Sequence, residues 1–268
     1  MSKIVSSGRA LHSSEFYTKK KRRRKKLLYL YLLLIIFFVF GSVLLLRKES
    51  FQIKYIESEF SPGGPTELVE GILEENYLWL IPKSNFLLFP RRSTKRAILE
   101  NFPRFYAVKF DLENKETLRI LVKEREVYAQ YCEGNVSGEC YAVDKEGLIF
   151  DRYIRDGNFI YTLPEFLGDP VGKYVLPKEE FLRINNFKER LAKLGINASG
   201  LEITNDNFIL KLLQGGEVIW RREASEDSLY SDLEAFLLSP DISSQSEFLE
   251  KVLYLDLRTE DKIFFKYK

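Results

Sequence analysis

The hydrophobic residues form one long unbroken run near the N-terminus and many short alternating runs after it. Residues 27–46 contain 20 residues without a charge. A helix of that length spans roughly 30 Å, the thickness of the hydrocarbon core of a bilayer. The run is longer than the roughly 7–15 apolar residues of a cleavable signal peptide, and no small-residue cleavage site follows it. The pattern therefore predicts a retained transmembrane helix over 27–46.

After this helix, the pattern of residues 50–125 predicts a small α+β module. Two short helices separate its first strand from its last two, with Thr66 predicted as the N-cap of the first helix and Ser93 or Thr94 as the N-cap of the second. The predicted elements are, in order, strand 51–56, helix 67–75, a helix ending at Glu100, strand 105–112 and strand 116–124.

Residues 126–268 have the pattern of a mainly antiparallel β domain with flanking helices. The predicted strands are 127–132, 140–143, 147–150, 159–161, 200–204, 208–213 and 217–220, and the predicted helices are 177–194 and 226–238. At the end of the chain, Leu253, Leu255 and Leu257 alternate with more polar positions, and Ile263, Phe265 and Tyr267 do the same after a turn at 259–261. This pattern predicts a C-terminal hairpin with one buried face.

The distribution of charge indicates how the chain is oriented in a membrane. The formal net charge is +2, but residues 1–26 hold ten of the 41 Lys and Arg, and residues 27–268 carry 31 of them against 38 Asp and Glu. Eight consecutive cations, Lys19, Lys20, Lys21, Arg22, Arg23, Arg24, Lys25 and Lys26, precede the apolar run. The positive-inside rule then places the basic tail 1–26 in the cytoplasm and the folded part outside it. The acidic balance of that folded part argues against nucleic-acid binding.

The chain lacks the side chains of the common catalytic and metal sites. Its one histidine, His12, lies in the basic tail, so the folded part has no imidazole base or ligand. Motifs for a nucleophilic serine or a phosphate-binding loop are absent there. Asp144, Glu146 and Asp151 lie close in sequence, but charges around a turn at Gly147 are usually a solvated surface. We expect no enzyme activity, no cofactor, no metal and no small-molecule substrate, and a surface hydrolase is the disfavoured alternative.

Two features of the β domain are candidate sites. Cys132 and Cys140 face each other across a predicted hairpin. A disulfide there would stabilise the fold by roughly 2–3 kcal/mol, although free thiols or a redox or metal pair remain alternatives. In the last strand, Phe264 lies between Lys262 and Lys266 on the face predicted to be solvated. Lysines there protect a sheet edge from stray pairing, whereas Phe264 favours an edge that accepts a partner strand.

Several segments, in order and spacing, resemble the FtsQ/DivIB family of bacterial cell-division proteins. The matching segments are FQIKYI at 51–56, PRFYAVK at 103–109, TLRILVKER at 117–125, YAVDKEGLIF at 141–150 and LDLR at 255–258. Lys115 and Val127 stand where the family usually has proline, and Phe105 replaces a β-branched residue. These departures concern local turn geometry.

The resemblance implies a POTRA-like β-α-α-β-β module over 50–125 and a non-enzymatic divisome scaffold located in the cell membrane at the division septum. It implies that the last strand receives an added strand from FtsB/FtsL-type bitopic proteins, with septal wall-synthesis proteins as further partners. The partner-binding residues expected on this basis are Tyr254, Arg258, Lys262, Phe264, Lys266 and Tyr267. A membrane-anchored assembly factor of a pilus or secretion system is the alternative function.

Overall fold

A computed structural model describes residues 8–58, 64–133, 139–153, 159–164, 166, 168–243, 247–260 and 262–268. Contacts between residues divide the chain into two compact units. Unit 1 contains Met1–Thr94 and Lys109–Leu121, and unit 2 contains Lys95–Val108 and Val122–Lys268. The division runs through a helix and two strands that both units share, whereas the sequence pattern predicts a boundary near residue 125.

The N-terminal part of unit 1 is one continuous helix, α1, over Gly8–Leu46. Within it, Lys21–Leu46 is long and apolar enough to cross a membrane, as predicted for 27–46. The large apolar side chains from Leu27 to Phe40 are each more than half exposed. In water such a continuous apolar surface would be unfavourable.

The remaining elements of the N-terminal region build a small three-stranded sheet in the order β1-β5-β4, in which β1 and β5 are parallel. Two helices and a two-stranded hairpin, β2–β3, lie between β1 and β4 along the chain. The elements are β1 Tyr55–Ser58, α2 Pro65–Glu74, β2 Asn76–Tyr77, β3 Ile81–Pro82, α3 Arg91–Asn101, β4 Phe105–Glu113 and β5 Thr117–Glu124.

The first strand begins later than the alternating pattern predicts. Glu49–Phe51 forms a short 3-10 helix, and β1 starts only at Tyr55. The ring of Phe51 stacks on Phe86 at 5.8 Å, and Ile53 is buried at 6% exposure. These two apolar side chains therefore pack against other parts of unit 1 near the end of α1. They alternate with polar residues although they are not in a strand.

The predicted helix caps are also wrong. α2 begins at Pro65, with Gly64 at the N-cap, because proline has a fixed φ that suits the first helical position. α3 begins at Arg91, so Ser93 and Thr94 lie inside its first turn. Their hydroxyls donate hydrogen bonds to the Pro90 carbonyl oxygen at 3.1 and 3.0 Å, respectively. Serine and threonine can make such bonds one turn into a helix as well as at its start.

Unit 2 contains a nine-stranded sheet in the order β14-β13-β12-β11-β10-β9-β6-β7-β8. Five of its pairings are antiparallel and three are parallel, namely β6–β9, β9–β10 and β12–β13. The prediction of an α+β fold with an apolar N-terminal helix and a large, mainly antiparallel sheet is thus confirmed at this level. The strands are β6 Ala129–Glu133, β7 Cys140–Val143, β8 Ile149–Tyr153, β9 Ile160–Leu163, β10 Ala198–Ile203, β11 Asn207–Leu212, β12 Glu217–Arg221, β13 Val252–Thr259 and β14 Lys262–Tyr267.

Helices pack against one face of this sheet and enclose the core. They are α4 Lys178–Lys193, α5 Glu226–Leu238, and the short α6 Pro240–Ser243 and α7 Phe248–Lys251. In β11, Phe208, Leu210 and Leu212 are buried while the residues between them are half-buried, so the sheet has one core face and one outer face. At the centre, Trp220 lies 5.4 Å from Phe187 of α4, ring to ring.

The C-terminal hairpin forms as predicted, but its alternation breaks at the start of β13. Val252 is fully buried and Leu253 is 41% exposed, whereas the sequence pattern predicts Leu253 on the buried face. The pairing of β13 with β14 shifts between Val252 and Tyr254. A bulge of this kind adds one residue to a strand and reverses which positions face the core.

Candidate functional site

The last strand, β14, forms one end of the nine-stranded sheet. At the opposite end, the segment 172–175 bonds to the start of β8. Gly172 donates its N–H to the Ile149 carbonyl oxygen at 2.7 Å, and the Ile149 N–H donates to the Lys173 carbonyl oxygen at 2.9 Å. Among the described residues, no strand pairs with the outer edge of β14. β14 is therefore an edge strand that can accept an added strand.

The outer face of β14 presents two lysines with an aromatic ring between them. Lys262 and Lys266 are exposed, and Phe264 is 53% exposed. Across the hairpin, Phe264 is directly opposite Asp256, and Lys266 is opposite the half-buried Tyr254. This face thus combines a large apolar side chain with two cations, a composition that suits contact with another polypeptide.

The other face of β14 belongs to a group of four rings, which we call the C-terminal aromatic cluster. Phe265 lies 5.6 Å from Phe236 of α5 and 5.6 Å from Phe248 of α7, and Tyr267 lies 5.4 Å from Phe265. Phe265 and Tyr267 remain 38% and 42% exposed, so the predicted buried face is only partly covered. The cluster holds β14 against the helices while leaving apolar surface accessible at the edge.

Arg258 forms an ion pair with Asp256 of its own strand. Its Nε donates to Asp256 Oδ1 at 2.9 Å and its Nη2 to Asp256 Oδ2 at 2.5 Å. The hydrogen bond from Arg258 lowers the pKa of Asp256 below its ordinary value, and the same bond raises the pKa of Arg258. The bidentate pair fixes the guanidinium near the end of β13, where its exposed surface can still meet a partner.

Beside Arg258 there is a cavity of about 500 Å³ between the end of β13 and the start of α5. Its walls are mostly polar and carry charges of both signs. They are formed by Arg221, Glu223, Ala224, Ser225, Ser228, Leu229, Asp232, Leu257, Arg258, Thr259 and Glu260. The cavity extends the exposed surface of the hairpin toward the helix that precedes it.

The C-terminal residue anchors the far end of β14. Lys268 Nζ donates to the carbonyl oxygens of Gln214 at 2.8 Å and Glu250 at 2.6 Å, and its backbone N–H donates to the Lys251 carbonyl oxygen at 2.9 Å. These bonds fix β14 at the end opposite the hairpin turn. The edge is thus held in place along its length before any partner binds, which reduces the entropy lost on binding.

Sequence reasoning missed a buried ion pair elsewhere in unit 2. Asp144, which the pattern assigns to a solvated surface, is only 4% exposed. Its Oδ2 accepts a hydrogen bond from Arg125 Nη1 at 2.6 Å, and its Oδ1 accepts from the backbone N–H groups of Glu146 and Leu148. Arg125 also donates to the Pro103 carbonyl oxygen. The Asp-Lys-Glu-Gly turn could have indicated the bonds to the backbone, because aspartate commonly bonds the backbone two residues ahead. It gives no sign of the pairing with Arg125.

Cys132 and Cys140 are joined by a disulfide bond in the structure. They are directly opposite each other in the antiparallel pair β6–β7. Cys132 is 3% exposed. Cys140 is half-buried at the start of β7, so the bond links the two neighbouring strands at the less buried end of their hairpin, a structural position.

In the described part of the chain, no group of three or more His, Cys, Asp or Glu side chains is arranged to hold a metal ion. No protein-family model matches the chain, and no curated protein matches it significantly. The function is therefore inferred from the residues of the chain and from the geometry of the edge strand β14.

Proposed function

We propose that this chain is a non-enzymatic, single-pass scaffold of the bacterial divisome that recruits other septal membrane proteins. The observation that carries the proposal is the edge strand β14, which ends the nine-stranded sheet and presents Phe264 between Lys262 and Lys266. The ordered resemblance of five segments to the FtsQ/DivIB family gives this edge its partner class, the FtsB/FtsL-type bitopic proteins.

The membrane part of the proposal rests on α1. Its apolar segment is long enough to span a bilayer, and eight cations precede it directly. Such a cluster is retained on the cytoplasmic side. The tail 1–26 is then cytoplasmic, and the residues after Leu46 lie outside the cytoplasm, where disulfide bonds such as Cys132–Cys140 persist. Within the cell membrane, we propose the division septum as the location.

The β1-α2-α3-β4-β5 region supports the finer proposal of a POTRA-like module. The order of its helices and strands along the chain agrees with the layout that the resemblance implies, apart from the added β2–β3 hairpin. The parallel pairing of β1 with β5 brings the first and last strands of the region together. A module of this kind would provide a second surface for division proteins.

In the proposed binding mode, the partner adds a strand to β14. Main-chain hydrogen bonds along the edge supply affinity, and alternating side chains supply specificity. Because Lys262 and Lys266 flank Phe264, a fitting partner strand carries an apolar side chain opposite Phe264 and acidic side chains beside it. On the opposite face, Phe265 and Tyr267 offer exposed ring surface to its remaining side chains.

Replacing Phe264 by aspartate tests this site. Phe264→Asp places a charge where an apolar contact is expected. The ring that it removes is half exposed, and Asp256, which lies opposite, is already paired with Arg258, so we expect the fold to be retained. We expect capture of bitopic division proteins from solubilised membranes by the full chain to fall at least tenfold, about 1.4 kcal/mol in binding free energy.

Leu182→Asp is the matched control, since Leu182 is 42% exposed on α4 and the chemical change is the same. This control should capture partners as the wild-type chain does. Undiminished capture by the Phe264→Asp variant would disprove the site assignment. Equal loss in both variants would show that the effect is not specific to β14.

A further inference from the structure

The turn of the hairpin β2–β3 of unit 1 contains three large apolar residues, two of them almost completely exposed and the third half exposed. Leu78 is 86% exposed, Trp79 is 93% exposed and Leu80 is 53% exposed. We call Leu78, Trp79 and Leu80 the hairpin tip. Single exposed apolar residues are common, but three adjacent ones that include a tryptophan indicate a contact surface.

The backbone of the tip is strained as well as exposed. Leu78 and Trp79 have positive φ values of 46° and 66°. The Leu80 N–H donates to the Tyr77 carbonyl oxygen at 2.9 Å and closes a turn with these two residues at its centre. Positive φ at both central positions normally requires asparagine and glycine, because larger side chains are disfavoured there. Here two bulky apolar residues occupy the turn without burying their side chains. Neither the local backbone nor the core of unit 1 accounts for their presence.

The segment that follows the hairpin is hydrogen-bonded to the end of α1. Asn85, which is fully buried, donates from Nδ2 to the Leu46 carbonyl oxygen at 2.8 Å. Next to this bond, the Ile53 N–H donates to the Ser84 carbonyl oxygen and the Phe86 N–H donates to the Phe51 carbonyl oxygen. The segment that follows the hairpin is therefore fixed to the residue at which the apolar helix ends.

This attachment limits the distance between the tip and the end of α1. Trp79 precedes Asn85 by six residues, which span at most about 20 Å of extended chain. The Tyr77 hydroxyl donates to the Leu88 carbonyl oxygen at 3.0 Å, which joins the hairpin to the next loop, where Leu87 and Leu88 are also exposed.

Exposed charges of both signs lie near the tip in sequence. Arg47 and Lys48 follow α1 directly, and Arg91 and Arg92 lie a few residues after the exposed Leu87 and Leu88, while the exposed acidic residues are Glu49, Glu74 and Glu75. Tryptophan is enriched at the membrane interface, and basic side chains near it are attracted by anionic headgroups.

We propose that the hairpin tip is a second membrane contact, in which Leu78, Trp79 and Leu80 enter the headgroup region of the bilayer that α1 spans. The proposal rests on the membrane-spanning role proposed for α1. A helix alone leaves unit 1 free to tilt relative to the membrane plane, and a second contact with the bilayer restricts that tilt. The tip thus sets the height and orientation of unit 1 above the bilayer.

Tryptophan fluorescence tests the proposal, because the chain has only two tryptophans, Trp79 and Trp220. The Trp220→Phe variant of the full chain reports Trp79 alone, and Trp79→Phe is the matched control that reports Trp220. Trp220 is 1% exposed and, among the described residues, its Nε1 has no hydrogen-bond partner. Phenylalanine therefore keeps the apolar packing at this position and removes no hydrogen bond.

Both variants are reconstituted into phosphatidylcholine–phosphatidylglycerol vesicles whose acyl chains carry bromine either near the headgroup or near the chain end. We expect Trp79 emission to be blue-shifted and to fall at least twofold with the shallow bromines, with less quenching by the deep ones. Trp220 emission should not change with either lipid. The wild-type chain keeps both tryptophans, so its emission should be quenched only in part by the shallow bromines. This measurement checks the result without any substitution.

Water-like emission from Trp79 that is unaffected by bromine would overturn the proposal. Blue-shifted emission without bromine quenching would also overturn it, since a protein surface or a second copy of the chain would then cover the tip. Flotation of the vesicles separates the two proposals. Protein that floats while Trp79 is unquenched contradicts only the tip contact, whereas protein that does not float contradicts the α1 anchor together with it.

Discussion

At the scale of single residues, Asn185 shows how one polar side chain organises the core of unit 2. It lies on the buried face of α4 at 6% exposure. Its Oδ1 accepts hydrogen bonds from the hydroxyls of Tyr161 at 2.6 Å and Tyr128 at 3.2 Å, and its Nδ2 donates to the Phe181 carbonyl oxygen. Burial raises the pKa of both tyrosines, which keeps them protonated as donors.

Replacement of Asn185 by leucine should therefore destabilise unit 2. The change removes the acceptor of the buried Tyr161 hydroxyl, and a buried unsatisfied donor costs about 1–3 kcal/mol. Tyr128 is 37% exposed, so its hydroxyl can bond to water instead. We expect the free energy of unfolding to fall by roughly that amount, measured by urea unfolding of the full chain in detergent with Trp220 fluorescence as the probe. Asn186→Leu is the control, since Asn186 is exposed on the same helix. Equal effects of the two variants would contradict this account.

The two neighbouring asparagines have the same residue type, so residue type does not show which one is buried. Only their positions around the helix distinguish them. Phe181, Ile184 and Leu191 mark the buried face of α4, and Asn185 lies one turn after Phe181. The same limit applies to Asp144, which the local pattern assigns to a solvated turn. Its burial depends on Arg125, a residue 19 positions away, so no local pattern contains it.

At the scale of elements, helices and consecutive hairpins were predictable, whereas contacts between distant strands were not. The helix predicted over 177–194 is observed at Lys178–Lys193, and the one predicted over 226–238 at Glu226–Leu238. In each helix, the buried residues recur at helical spacing, so the sequence is enough to locate it. The parallel pairing of β9 with β6 and β10 joins strands that are far apart in sequence. The bulge at Leu253 depends on the pairing of β13 with β14. The alternation alone therefore assigned this residue to the buried face, although it is exposed.

The β6–β7 hairpin provides a prediction at this scale. Its disulfide closes a short loop, and such a cross-link restricts the unfolded chain. The double variant Cys132→Ala and Cys140→Ala should lose roughly 2–3 kcal/mol of unfolding free energy. Denaturant unfolding of the oxidised chain, the reduced chain and the variant measures this loss. The variant should also be insensitive to reductant. An unchanged midpoint after reduction of the wild-type chain would show that the bond contributes nothing to stability.

At the scale of the whole molecule, the sequence was sufficient for the apolar helix and for the α+β class. It was not sufficient for the edge that we propose as a binding site. The outward face of β14 follows from its pattern, but its place at the end of a nine-stranded sheet depends on pairings between distant strands. The C-terminal aromatic cluster likewise requires α5 and α7 to meet β14.

The central claim, a scaffold of cell division acting through β14, is tested most directly by cell length after depletion of the protein. We predict that depleted cells grow into filaments without septa, that the wild-type gene restores normal length, and that the Leu182→Asp variant does so equally. The Phe264→Asp variant should leave the cells filamentous although the protein is present in the membrane. Depleted cells that septate at normal length, and above all cells that lose pili or secretion instead, would contradict the account.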